Sequence, residues 1–272
     1  MSSSHLSGID GNAGEVVMTK GRRNLLIGGA IVGLIYGLRA APWDLLPGRG
    51  PRYVAIEGLS PFRRLEEGGR ISTGSAAFVG LDPPDDSESE RRGQIELVRS
   101  DLCGALFGPD ARDGAIPVAY FSEYRCPYCR KLERDLADVV EADPGTLRVI
   151  QHEWPIFGAS SELFARASVA AARQGLQQPL RKRFMQMPLV ADEGSVLRVA
   201  ADLGLDTDRL ASDMASAEVA AELGRTRALA SVFGFIGTPG LVIGRTVLNG
   251  AISQSLLRQI IADETSLPPI EC

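Results

Sequence analysis

Hydrophobic and polar positions fall into two regimes along this chain. Near the N-terminus an unbroken apolar run, LLIGGAIVGLIYGL, extends from Leu25 to Leu38, with Lys20-Gly21-Arg22-Arg23 before it and Arg39 after it. From Ile116 onward the pattern is that of a packed domain. Pro117–Phe121 is a short apolar run of the kind that forms a buried strand. After it, Cys129, Leu132, Leu136, Val139 and Val140 recur in steps of three and four, the spacing of one helix face. Pro127 suits the first helical position, where a missing N–H costs nothing, and Asp143-Pro144-Gly145 ends the helix. Leu147–Gln151 reads as a second strand. Helices are expected from Ser160 to about Gln174, near Pro179–Met187, over Ser195–Leu203 and over Ala217–Phe233. Val219, Leu223, Ala230 and Phe233 share a face of the last, and Gly234 is placed as its stop. Short strands Leu241–Ile243 and Val247–Leu248 follow, with a turn at Gly244-Arg245, then a helix from about Ser253 to Ala262. The sum is an α/β order: β-α-β, a helical block, β-β-α.

The apolar run near the N-terminus bears on location. Residues 1–23 are a polar tail, and 24–43 a helix that anchors or exports the chain. A full span needs about 20 apolar residues and a signal h-region about 7–15. By length this is an h-region; extended through Trp43, with Arg39 reaching the interface, it is a short span. Two readings stand: an uncleaved signal anchor, or a cleaved export signal, of twin-arginine type given Arg22-Arg23. Neither Ala40 nor Ala41 makes a good cleavage site, which favours the anchor. Four glycines and no polar face argue against a water-soluble helix. Either way the basic flank stays cytoplasmic and the remainder lies outside, in a compartment that permits disulfides. The expectation is an inner-membrane anchor with the folded domain in the periplasm, or an exported soluble protein.

Residues 44–114 carry the weakest pattern and are taken as an extension of unknown role that packs on the domain at 115–264, ahead of a tail at 265–272. Tyr53–Ile56 is a candidate strand. The segment LSPFRRLEEGGRISTG has turn signals but little period, and Asp82–Gly93 reads as a charged, proline-containing loop.

Composition excludes some classes. The net charge is −5 and no basic block is long enough for a nucleic-acid footprint. The only histidines, His5 and His152, share no ligand-like spacing with the cysteines. One CxxC and two isolated cysteines fall short of the paired spacings of a structural zinc site, so no metal is expected.

Chemistry concentrates at Cys126-Pro127-Tyr128-Cys129. A cysteine at a helix N-terminus faces free N–H groups and the positive end of the macrodipole, which favour its thiolate. A second cysteine one turn on can attack a mixed disulfide and release the partner. Cys126 is thus the expected nucleophile and Cys129 the resolving thiol, and the dithiol carries electrons without an organic cofactor. Half a zinc site or a structural cysteine pair is the alternative; a strand before, a helix after and Thr238-Pro239 ahead of a later strand favour redox chemistry.

The stretches YFSEYRCPYCRKLE, QHEWPIFGASSELFARASVAAARQG and GFIGTPGLVIGRTVLNGAI resemble the DsbA-like thiol–disulfide oxidoreductases of the thioredoxin superfamily, over about residues 115–262. The resemblance implies a thioredoxin fold with a helical domain inserted at about 156–234. It implies that Thr238 and Pro239 form a cis-proline loop that faces the redox pair and binds extended substrate. It further implies exchange with cysteine-containing exported proteins, a membrane or soluble redox partner, and an oxidant's direction. Pro-Tyr between the cysteines also occurs in glutaredoxins, but the helical stretch before Pro239 fits the DsbA-like group.

Around the pair, Pro127, Tyr128 and Glu123 are candidate tuning residues. Relatives often carry a buried acid six residues before the first cysteine, where this chain has Tyr120. Glu123 either tunes Cys126 or is a solvated loop residue, the latter favoured. Arg125 and Arg130 are read as surface charges and His152 as structural. Cys103 and Cys272 either pair with each other, or Cys103 is buried and Cys272 is free or paired to another molecule. Met185 and Met187 look like core. Two rivals remain: a non-catalytic peptide-binding or assembly factor, and a copper-delivery thiol protein.

Overall fold

The computed structural model describes residues 50–66, 88–109, 114–187 and 192–270. The apolar run at 25–38 and Cys272 lie outside them. Among the described residues no helix is long and apolar enough to cross a membrane.

The centre of the fold is β3 (Ile116–Ser122), buried on both faces as its apolar run requires. It pairs in parallel with β4 (Leu147–Glu153), Val118 opposite Val149, and antiparallel with β5 (Gly240–Ile243), Ala119 opposite Val242. β5 turns into β6 (Thr246–Asn249) through Gly244, whose φ of 52° and close approach to the Glu264 carboxylate leave no room for a Cβ. Two further strands, β1 (Tyr53–Ala55) and β2 (Arg63–Leu65), extend the sheet to the order β1-β2-β6-β5-β3-β4, with β2 parallel to β6.

Period-two alternation sends β3 side chains to two layers. Val118 and Tyr120 join Leu241, Ile243 and Leu248 under α3 (Pro127–Ala142) and the C-terminal helix α9 (Gln254–Thr265). Ala119 and Phe121 face the other way, toward Val242 and Val247. They pack with α8 (Ala217–Val232), α1 (Glu88–Ser100) and α2 (Leu102–Phe107). A third cluster is purely helical: α4 (Ala159–Ala172), α5 (Gln177–Gln186), α6 (Glu193–Asp202), α7 (Thr207–Met214) and the start of α8. Met185 is buried in it and Met187 packs against it. α8 therefore belongs to both layers, with Val219 in the helical cluster and Leu229 and Val232 in the sheet core.

Three expectations change. The charged loop over 82–93 is helical from Glu88: Ile95 and Val98 form an apolar edge against the core, and Arg91, Glu96 and Arg99 are exposed. The segment without period holds β2. Its Arg63 meets Glu264 at 2.9 Å and Thr246 at 3.0 Å, and Arg64 donates to the Phe233 carbonyl at 2.8 Å. The helix α7 went unread, although Asp206 caps it and Leu210 and Met214 form its buried face. Cys103 is disulfide-bonded, whereas Cys126 and Cys129 are free thiols.

Candidate active site

Cys126 sits where β3 has ended and α3 begins. Its backbone N–H is held by the Glu123 carbonyl at 3.2 Å, and its φ/ψ of −81°/115° is the extended geometry of a helix cap. Pro127 occupies the first turn, as its spacing predicts. The Cys126 sulfur accepts the Cys129 N–H at 3.2 Å, so a helix donor that would otherwise be orphaned points at the thiol. Across the cleft, the cis Thr238–Pro239 bond presents the Thr238 carbonyl 3.5 Å from the same sulfur. The Thr238 hydroxyl is buried, and the Thr238 side chain favours the thiolate form of both cysteines.

The two thiols are driven apart. Cys126 is lowered to about 7, chiefly by the hydrogen bond from the Cys129 thiol, against an opposing burial, and further by the Cys129 N–H and Thr238. Cys129 is pushed well above the ordinary thiol range, first by burial, then by donating to Cys126 and by the charge on it. One sulfur is suited to carry the negative charge, and the other to hold its proton until a disulfide needs attacking.

Tyr120 fills the position where relatives often carry an acid. It is completely buried, and its hydroxyl donates to the Cys129 carbonyl at 2.9 Å. Glu123 is not the solvated residue favoured from sequence: it is 2 % exposed. Its carboxylate accepts the Arg125 N–H, and the Ile156 N–H and Ser161 hydroxyl also face it. Burial raises its pKa against those donors. Arg125 donates to the Phe157 carbonyl at 2.8 Å and Arg130 to the Tyr124 carbonyl at 2.9 Å, so both tie backbone segments together. His152 stacks on Phe121 at 4.6 Å, and its Nε2 lies 2.9 Å from the Leu106 carbonyl, remote from the sulfurs in role.

Tyr128, Phe157 and Ile236 are exposed: Tyr128 lies between the cysteines, Phe157 gives its carbonyl to Arg125, and Ile236 precedes Thr238 by two residues. Beneath the site lies a group that sequence did not single out. Arg181, 0 % exposed, projects from α5. It contacts Glu153 at 2.7 Å, Glu133 through two donors at 2.8 and 3.0 Å, and Ser122 at 2.6 Å. Within RKRF it has the signature of a surface charge, and no local signal marks it.

Comparison with known proteins supplies an independent view of this geometry. Residues 117–262 match the family model of the DSBA-like thioredoxin domain. A thioredoxin-like oxidoreductase from Silicibacter pomeroyi DSS-3 is 35% identical with a TM-score of 0.56, covering 61% of this chain and 98% of that one. The catalytic domain of Proteus mirabilis ScsC (23% identity, TM-score 0.54, 64% and 99% covered) shares the fold. So does the thiol-disulfide exchange protein α-DsbA2 from Wolbachia pipientis (18%, 0.55, 66% and 100%). Among curated proteins, a Na(+)/H(+) antiporter NhaA from Herminiimonas arsenicoxydans is 26% identical over 171 residues, 63% of this chain. The chain spans only 25% of that protein's length.

Proposed function

The chain belongs to the DSBA-like thioredoxin domain family, and from that membership we propose that it is a thiol–disulfide oxidoreductase working through Cys126 and Cys129. The observation that carries this reading is the Cys126 sulfur itself: a helix-capping thiol lowered to about 7, beside a buried partner thiol and opposite the Thr238 carbonyl.

In the oxidising direction, a substrate thiolate attacks the Cys126 sulfur of the Cys126–Cys129 disulfide. The S–S bond breaks, Cys129 leaves as a thiolate and takes up a proton, and a mixed disulfide forms. A second thiolate of the substrate attacks the first substrate sulfur in that bond, forms the substrate disulfide and expels the Cys126 thiolate. Two electrons have passed from substrate to enzyme, and a redox partner removes them. The low thiol pKa makes Cys126 a good leaving group, which favours donation of disulfides. The exposed Tyr128, Phe157 and Ile236 supply apolar contact for an unfolded protein, and the Thr238–Pro239 loop its backbone register. The compartment is the extracytoplasmic one that the N-terminal apolar run suggests, with the substrates being exported proteins. Family membership favours this reading over binding-only or copper-delivery alternatives.

The test is exchange with a reduced, unfolded two-cysteine protein by the full chain after oxidation. Stoichiometric transfer of one disulfide, abolished in Cys126→Ser, is the expected result. Absence of transfer in both directions, with glutathione as well as protein, overturns the reading.

A further inference from the structure

The redox pair stands above a buried charge cluster contributed by four elements. Arg181 comes from α5, in the inserted helical layer. Its guanidinium grips Glu133 of α3 bidentately, Glu153 at the end of β4, and the Ser122 hydroxyl at the end of β3. Tyr124 and Ser168 donate to the same Glu153 oxygen, each at 2.7 Å, while the other oxygen, Oε2, is buried and has no partner among the described residues. The Arg181 guanidinium lies 5.5 Å from the ring of Tyr120 and 5.4 Å from that of Tyr124. Tyr120 in turn holds the Cys129 carbonyl. The charged and titratable groups facing Arg181 are therefore Glu133, Glu153, Tyr120 and Tyr124, and those facing Cys126 are Cys129 and Tyr120.

We propose that Arg181 is a positioning residue for the redox centre, through which the inserted helical layer fixes the active-site helix and sets the charge beneath Cys126 and Cys129. This rests on the redox reading above. Two features carry it. The first is mechanical: Glu133 follows Cys129 by one turn on the same face, so the bidentate grip holds α3 next to the resolving cysteine. The second is electrostatic: one cation sits with two carboxylates, and Tyr120, whose ring lies 5.5 Å from that cation, holds the Cys129 carbonyl. Glu133 lies two turns from Cys126, roughly 11 Å along the helix. At that range a charge in a half-buried setting shifts a thiol by about one pKa unit.

The sign distinguishes this role from packing. Arg181→Met removes the cation and leaves two carboxylates, which disfavours the Cys126 thiolate, raises its pKa and makes the disulfide harder to reduce. Glu133→Gln removes an anion and acts oppositely. Arg181→Lys keeps the charge without the fork.

The experiment is thiolate titration of Cys126 by ultraviolet absorbance in the full chain, with the glutathione equilibrium constant measured in parallel. The expected result is a rise of the thiolate pKa in Arg181→Met, a fall in Glu133→Gln, and threefold or larger equilibrium changes of opposite sign, each tenfold being about 30 mV. Arg181→Lys stays near the parent in pKa even where its melting temperature falls. If Arg181→Met does not fold, Glu133→Gln decides, since its carboxylate is partly exposed. An unchanged titration in Glu133→Gln, or shifts of one sign in both variants, overturns the proposal. Should the parent form no Cys126–Cys129 disulfide, the redox reading falls, and the titration still decides what Arg181 does to the thiol.

Discussion

The Thr238 carbonyl lies 3.5 Å from the Cys126 sulfur although 112 residues separate the two in sequence. The contact brings the loop before β5 and the cap of α3 together at the ends of the two adjacent strands β3 and β5, and it defines the face on which the chemistry can be tested.

Replacing Cys129 by Ser removes the thiol that resolves mixed disulfides. The Cys126 adduct with a substrate protein is expected to persist, visible as a reducible band on a non-reducing gel, whereas Cys126→Ser yields no adduct at all. Adducts that form equally in both variants would contradict the assignment of nucleophile and resolver.

The lowered Cys126 thiol sets a pH profile. Alkylation of reduced protein by iodoacetamide should rise about tenfold per unit below pH 7 and level off above it, rather than climbing to the roughly 8.5 of a free cysteine. Thr238→Val keeps the shape of the side chain and deletes the buried hydroxyl. The plateau should move upward by roughly half to one unit. An unmoved profile in this variant would remove Thr238 from the set of groups that stabilise the thiolate.

His152 is buried, and burial lowers its pKa to about 4, against the Leu106 carbonyl, which favours the protonated ring. The folded value is depressed below the ordinary 6.5. Stability from this residue is therefore fully present above about pH 6.5 and is lost as pH falls toward 4, since the unfolded chain binds the proton first. The loss approaches about 3 kcal/mol. Chemical denaturation at pH 7 and pH 4.5 should show it, and His152→Gln should flatten that difference while lowering stability at neutral pH through the lost ring stack on Phe121.

Phe62, in the turn before β2, is 2 % exposed and meets Phe233 edge-on at 5.1 Å. Truncation to Ala should cost about 3 kcal/mol or more, measured by urea unfolding. A near-neutral result would mean that this part of the chain is not built into the core.

What the sequence disclosed depended on where each element finds its partners. β3 and α3 were legible because their signals are local: an apolar run buried on both faces, then a capped helix with Leu132, Leu136 and Val139 on one side. β2 was not, because Arg63 and Arg64 look like solvated charges until Glu264 and the Phe233 carbonyl, far along the chain, answer them. Glu123 misled for a related reason, since its carboxylate is held by a backbone amide, that of Arg125, which no side-chain pattern announces. Arg181 is the extreme case: all of its charged partners lie on other elements, and nothing in its own neighbourhood marks it as buried.

The reach of β2 has a practical corollary. The family match begins at residue 117, yet the sheet it describes is flanked by a strand that starts at Arg63, and the end of α8 is tied by Arg64. A fragment trimmed to 117–262 would bare Phe233 and the apolar face of the sheet to water and leave β6 as an open edge, an invitation to sticky association in the test tube. The smallest piece worth expressing on its own terms begins near Pro51, well upstream of where kinship with other proteins becomes visible.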